Sequence, residues 1–282
     1  MICAWKELIS ILPEWMRSTV DKQGKDNLQE LRLRLGKPPE LVMGKEWQKL
    51  SRNVTAEDLK FCINTASRYS PWAVDSVFQG YLTASGGHRI GMCGDTVCDG
   101  NIVRGIRNLS SLCIRVARDF PGISSDLSTD QRSILIIGSP GSGKTTLLRD
   151  LIRQISNHGS GSIAVVDERG EIFPQCGGKS CFDTGLRSDV ISGCSKTHGI
   201  EMVLRTMGPS TIAVDEITAE SDCDALIRAG WCGVRLLATA HASSISDLYN
   251  RPVYRKLWKS GLFECVLVLQ KDKTWSIERM IK

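Results

Sequence analysis

The chain has 282 residues, 41% hydrophobic and 24% charged, ordinary proportions for a globular protein with a real core. No apolar stretch approaches the roughly 18–20 residues of a membrane-spanning helix. Acids and Pro13 interrupt the first turns where a secretory signal would be apolar, so a cytosolic protein is expected. Eleven cysteines, an odd number without a Cys-x-x-Cys, argue for free thiols over a disulfide framework or a zinc site. The net charge of +5 lies in residues 1–118, with 17 Lys/Arg against 12 Asp/Glu, whereas residues 119–282 hold 19 of each. That imbalance permits an anionic partner without requiring one.

In chain order, residues 2–20 read as a helix interrupted near Pro13. Glu30–Leu35 alternates strictly, predicting a strand with Leu31, Leu33 and Leu35 inward and Arg32 and Arg34 outward. Thr55 and Asp58 predict a capped helix continuing to Ala66 and Tyr69, with a second helical piece from Pro71 towards Phe78. Gly80–Gly94 reads as a glycine-rich hairpin, followed by strands near Asn101–Arg104 and Leu112–Val116. Within it, Gly86-Gly-His-Arg89 fits a phosphate- or nucleic-acid-contacting loop as well as it fits a tight turn. Residues 1–118 thus form an α+β domain, and turn formers make residues 119–131 a linker.

Residues 132–282 alternate strands and helices, the pattern of a parallel sheet flanked by helices. Ser133–Ile137 is a short apolar run, and Thr146–Ile155 has apolar residues at helical spacing. Between them stands Gly138-Ser139-Pro140-Gly141-Ser142-Gly143-Lys144-Thr145-Thr146, which fills every fixed position of G-x-x-x-x-G-K-[ST]. Strand, glycine-rich loop and helix together make a phosphate cradle: backbone N–H groups point inward and the helix end adds partial positive charge. Lys144 is expected at the β- and γ-phosphates of ATP, and the Thr145 hydroxyl on Mg²⁺.

Further apolar strands deliver acids to the same end of the sheet. Thr211–Val214 leads to Asp215, expected to support Mg²⁺, and to Glu216, expected to orient or deprotonate the attacking water. Val165–Val166 leads to Asp167, Glu168 and Glu171, around Arg169, a second set of acids suited to the metal or the water, or equally to salt bridges between subunits. His241 ends another strand, in a place from which it could sense the γ-phosphate. Arg205 and Arg187 could supply positive charge to the transition state, in the same chain or across a subunit interface. A terminal hairpin is expected from Phe263–Leu269 and Thr274–Met280.

This succession resembles the type II/IV secretion ATPases, whose Walker A, Asp box, Walker B and His box run in that order. The resemblance narrows to the stage III sporulation protein AA family through Glu30–Pro38, Thr83–Gly91, Val166–Ile172, Gly185–Val190, Gly208-Pro209, Asp215–Ile217 and Ala240–Ser244. Gly170 and Thr218 depart from it, where serine and glycine are expected. The resemblance implies a RecA/AAA-like P-loop NTPase fold and a hexameric ATPase at the inner face of the cell membrane. There it would dock on a membrane platform protein and energise the channel between mother cell and forespore. The competing expectation is a nucleic-acid-binding P-loop ATPase like plastid and cyanobacterial relatives. It is disfavoured by the slight charge and by the lack of an added single-strand-binding module after Lys282.

Overall fold

Alternating side chains build the first sheet of the computed structural model, which describes residues 1–67, 80–100, 102–127, 132–176 and 178–279. Helices α1 (Trp5–Ser10) and α2 (Glu14–Asp21) break at Pro13 as the sequence predicts, and α3 (Gly24–Asn27) leads into β1 (Glu30–Arg34). Strands β2 (Glu40–Met43) and β3 (Glu46–Lys49) follow, then α4 (Ala56–Ala66), β4 (Tyr81–Thr83), β5 (Arg89–Asp99) and β6 (Ile102–Arg115). The order is β3-β2-β1-β6-β5-β4, antiparallel throughout. Leu31 and Leu33 are buried, joining Leu8, Leu12, Met16 and Leu59 in one core. Leu35 is instead 47% exposed, because the strand ends at Arg34 and Gly36 turns the chain in the left-handed region at φ 72°. Arg32 and Arg34 pair with Glu30 and Glu40, as a solvated strand face does. Thr55 and Asp58 cap each other across the start of α4, at 3.2 and 2.9 Å. The two short strands expected near residues 101 and 112 are one long strand, β6, whose polar Arg104–Ser111 stretch, exposed at Arg104, Arg107, Asn108 and Ser110, hides the continuity. Tyr69 and the Pro71–Phe78 piece lie outside the described residues.

The Gly86–Arg89 loop is a turn with an internal clasp. His88 is fully buried, with Nε2 2.8 Å from the Ala4 carbonyl and Nδ1 accepting the Ala117 N–H at 3.1 Å. A side chain on Gly86 would meet the Ala4 methyl at 2.2 Å, and Gly86 sits at φ 79°. Arg89 stacks over the Tyr81 ring at 4.2 Å. His88 therefore faces inward and contacts no surface ligand.

The second sheet is built from apolar runs, buried on both faces as parallel strands are. Its elements are β7 (Ile134–Gly138), α5 (Lys144–His158), β8 (Ile163–Asp167), β11 (Ser188–Ser192), α6 (Lys196–Thr206), β12 (Thr211–Val214) and α7 (Glu220–Trp231). Then come β13 (Arg235–Ala240), α8 (Ile245–Asn250), α9 (Pro252–Lys259), β14 (Cys265–Leu269) and β15 (Trp275–Arg279). The intervening pair β9 (Gln175–Cys176) and β10 (Lys179–Ser180) forms its own ribbon. Strand order is β11-β8-β12-β13-β7-β14-β15, parallel except for the edge strand β15. Strand β11 and the six-residue helix α8 are too short to be anticipated, whereas α9 carries Val253, Tyr254, Leu257 and Trp258 at helical spacing and was missed.

Contacts divide the chain into Met1–Asp119 with Pro174–Phe182, and Phe120–Phe173 with Asp183–Lys282. The contiguous division expected from composition differs in two places. Phe120–Leu127, read as linker, belongs to the second unit: Asp150 of α5 accepts the Gly122 and Ser124 N–H groups at 2.9 and 2.8 Å. Pro174–Phe182, from inside the second half of the sequence, belongs to the first unit.

Candidate active site

Strand order places the site. The loop after β7 and the acids after β12 flank the end of β13, so three strand ends converge where parallel sheets bind ligands. The Gly138–Thr146 loop makes a tight cradle. A side chain on Gly138 would meet the Leu269 carbonyl at 2.8 Å, and Gly143 opens α5 at φ 102° with no side-chain cap. The first amides of a 15-residue helix therefore face the loop. Ser139 is half-buried, Pro140 and Gly141 form the exposed crest, and Thr146 is half-buried. Ser142 Oγ is buried without a hydrogen-bond partner among the described residues. A cradle closed to side chains, with an unpartnered hydroxyl and uncapped amides, fits a phosphate chain.

Lys144 is 6% exposed, and its ammonium donates to the Gly138 carbonyl, the Ser139 carbonyl and His241 Nδ1, each at 3.0 Å. Burial lowers its pKa, opposed by the charges of Asp215 and Glu216. Because Nδ1 of His241 accepts from an ammonium, Nε2 carries the hydrogen, and it lies 2.9 Å from Glu216 Oε1. Lysine, histidine and glutamate form one polar chain at the carboxyl end of the sheet.

Asp215 is held by two hydroxyls: Thr145 Oγ1 donates to Oδ2 at 2.7 Å, and Thr239 Oγ1 donates to Oδ1. Burial raises the Asp215 pKa above the ordinary range, against the pull of those hydroxyls. Thr145 and Asp215 fit a magnesium ion, which takes one or two protein oxygens and completes its shell with phosphate and water. Among the described residues no cluster of three His, Cys, Asp or Glu could enclose a metal by itself. Glu216 follows in the left-handed region at φ 47°, with Arg169 3.8 Å from Oε2.

The second acid set is built differently. Asp167, 1% exposed, accepts the Glu171, Ile172 and Phe173 N–H groups at 2.8, 3.1 and 2.8 Å. Gly170, at φ 63°, lets the chain fold back over it. Arg149 of α5 donates to the Glu171 carbonyl at 2.9 Å and to the Ile172 carbonyl. Asp167, expected to reach metal or water, spends both oxygens on its own turn, and it lines one small cleft with Glu168, Glu171, Lys196, Asp215 and Glu216. Glu168 pairs with the buried Lys196, which lies 4.0 Å from Asp222. Glu171 raises the Asp215 pKa by its charge, so it belongs to the same electrostatic site.

The arginines are not brought to this site. Arg205 lies in the last turn of α6 and Arg187 just before β11, both at the amino ends of parallel strands. Crossing four-residue β12 alone spans about 13 Å. Arg187 contacts the Gly159 carbonyl, and Arg205 is exposed. A same-chain role for either is corrected by this geometry.

Sequence reading missed several residues. Thr239 was the lone hydroxyl in a buried apolar strand, which is the signal that could have found it. Lys196 and Arg169 gave no pattern. A cavity of about 290 Å³ beside Gly141–Gly143 is lined by Phe120, Ile123, Leu269, Lys273 and Trp275.

A family model described as sporulation stage III, protein AA, matches residues 5–280. Stage III sporulation protein AA of Bacillus subtilis (strain 168) is 37% identical over 281 residues, covering 95% of this chain and 91% of that protein. Among solved structures, the pilus retraction motor PilT with bound ADP superposes with a TM-score of 0.65 at 15% identity, covering 94% of this chain and 82% of that one. The ATPase DotB of Legionella pneumophila superposes with a TM-score of 0.59 at 18% identity, covering 95% and 80%. The fold is that of the P-loop secretion ATPases, as expected: a parallel sheet flanked by helices, preceded by a smaller α+β domain.

Proposed function

Because this chain belongs to the sporulation stage III protein AA family, we propose that it is an ATP-hydrolysing motor of a secretion-like apparatus between mother cell and forespore. The observation that carries this reading is the chain Lys144–His241–Glu216 beside an Asp215 held by Thr145. Those groups face one point from the ends of three strands.

In the proposed reaction the loop amides and Lys144 hold the β- and γ-phosphates. The phosphates compete for the ammonium donors that Gly138, Ser139 and His241 accept, so binding draws Lys144 towards the nucleotide. Thr145 and Asp215 would hold magnesium, which when bound neutralises charge on the phosphate oxygens. Glu216 Oε2 accepts a hydrogen from water, aiming its oxygen at the γ-phosphorus opposite the ADP leaving group. His241 holds the other carboxylate oxygen, fixing the aim. The aromatic cavity lined by Phe120 and Trp275 takes the base.

Arg205 and Arg187 act, in this reading, on a neighbouring subunit's phosphates in a hexameric ring, since their own site is out of reach. No helix among the described residues is long and apolar enough to cross a membrane. From the family membership the proposed placement is peripheral, on the cytoplasmic side of a membrane platform protein. The test is Mg²⁺-ATP turnover by the purified chain, parent against Glu216→Gln. Turnover in the parent with ATP retained by the variant supports the motor. ATP binding without turnover by the parent, alone and with membranes of sporulating cells, overturns it.

A further inference from the structure

Thr239 contacts both acids of the site and sits too deep to reach a ligand. It is fully buried on β13, between β12 and β7. Its hydroxyl hydrogen goes to Asp215 Oδ1, and its oxygen accepts the Glu216 N–H at 2.7 Å. Its carbonyl accepts the Ile217 N–H at 2.9 Å. One residue thus grips three consecutive residues of the neighbouring strand's exit.

That exit is strained. Glu216 is one of three non-glycine residues with positive φ among the described residues, at 47°. A left-handed residue with a Cβ persists only where its surroundings over-determine it. Glu216 has such surroundings: Thr239 holds its N–H, while His241 and Arg169 meet its carboxylate. The side-chain contacts come from groups that a bound phosphate would redirect. The Thr239 contact does not.

We propose that Thr239 is a positioning residue that locks the left-handed backbone of Glu216 and sets the orientation of the Asp215 carboxylate. It acts through them on divalent-ion use and turnover, without touching nucleotide. The inference rests on the ATPase reading for its effect on turnover, but its structural core stands in the ligand-free protein.

Two substitutions separate the hydroxyl from the packing. Thr239→Val keeps the shape and removes the hydroxyl; Thr239→Ser keeps the hydroxyl and removes a methyl. The first readout is amide hydrogen exchange at Glu216 in the protein without nucleotide, with Ala213 on β12 as the internal reference. Thr239→Val should speed Glu216 exchange by about tenfold or more relative to Ala213, and Thr239→Ser should leave it near the parent rate. The second readout is nucleotide affinity by calorimetry, with magnesium and with chelator. Thr239→Val should weaken the magnesium-dependent gain several-fold and leave chelator binding unchanged. In steady state kcat should fall about 10–100-fold with KM held, and Thr239→Ser should restore most of it.

Unchanged Glu216 exchange in Thr239→Val overturns the lock, whatever the nucleotide data show. Equal losses in Thr239→Val and Thr239→Ser reduce the residue to packing and overturn the proposal too. A parent that fails to hydrolyse ATP overturns the motor reading alone, because exchange and the magnesium-dependent affinity still report on Thr239.

Discussion

Two aspartates end neighbouring strands of the same sheet, and they are held in different ways. Val166 and Val214 are paired in the ladder, so Asp167 and Asp215 leave the sheet side by side. Burial raises the pKa of both carboxyls. What differs is the class of partner. Asp167 accepts three backbone N–H groups, which can only donate and cannot turn. Asp215 accepts two threonine hydroxyls, which rotate and can accept as well as donate. Fixed donors make a carboxylate part of the frame; rotating ones leave it able to exchange a hydrogen bond for a metal or water. The sequence motif, apolar strand then acid, is identical in the two cases.

The sharpest test of that contrast is turnover. Glu216→Gln should slow hydrolysis by about 10²–10⁴-fold while ATP binding survives, because it removes a positioned acid–base group and no phosphate contact. Asp215→Asn should lose turnover through its magnesium dependence, read as a higher magnesium concentration for half-maximal rate. Full activity in either variant would erase the distinction between frame and site. Next in size is Lys144→Ala, which removes an ammonium from a nearly dry pocket and should cost about 2–4 kcal/mol of ATP affinity by calorimetry. Equal affinity in variant and parent would mean that the loop alone holds the phosphates.

The strand-end acids also show how far a sequence can be read. The P-loop, the β12 acids and His241 were legible because each follows an apolar run whose length announces a buried parallel strand. Which acids stay free for chemistry was not legible, because that depends on where the next residues fold. Nothing in Asp167–Phe173 says that three amides will turn back on the aspartate, although Gly170, at the position needing left-handed φ, was a hint. Where the arginines reach was hidden for a related reason: spacing along the chain does not tell which end of a parallel strand a residue reaches. The cavity beside the loop stayed hidden because Phe120 and Ile123 lie among turn formers, and Asp150 draws that stretch onto α5. In the front unit, the alternation of β1 and the cap at Thr55 were plain, whereas β6 was split by its exposed polar middle.

A smaller effect should appear in stability. Asp167→Asn replaces one accepting oxygen with an NH₂ that faces backbone donors, and should cost about 1–3 kcal/mol in urea unfolding. Asp215→Asn should cost less or nothing, because the new amide can keep its oxygen towards the Thr239 hydroxyl and donate to Thr145, whose hydroxyl can turn to accept. Equal destabilisation by the two substitutions would show that partner class does not separate them.

The smallest effect concerns His88, which like Asp167 accepts a fixed backbone N–H. Its Nδ1 takes the Ala117 N–H at 3.1 Å, so Nε2 carries the hydrogen and donates to the Ala4 carbonyl at 2.8 Å. Burial pushes its pKa below the ordinary histidine value, with the Ala4 carbonyl and Glu7 pulling upward and Arg118 adding to the depression. Protonation would set a new N–H against the Ala117 N–H. The unfolded chain therefore takes up this proton more readily than the folded one. Its contribution to stability is fully present above the unfolded value of about 6.5, falls as pH drops below that, and levels off beneath the folded value. The slope cannot exceed about 1.4 kcal/mol per pH unit for one proton. Asp167 and Asp215 carry raised pKa values and lean the other way, so the parent's curve mixes opposing contributions. His88→Gln isolates the histidine: its carbonyl can accept from Ala117, its amide can donate to Ala4, and it does not titrate. Urea unfolding of both proteins between about pH 8 and pH 5 should show the parent losing stability relative to the variant only below about 6.5. Parallel curves across that range would mean that the clasp tolerates the imidazolium, and that a fixed N–H partner does not by itself keep a buried group from its proton.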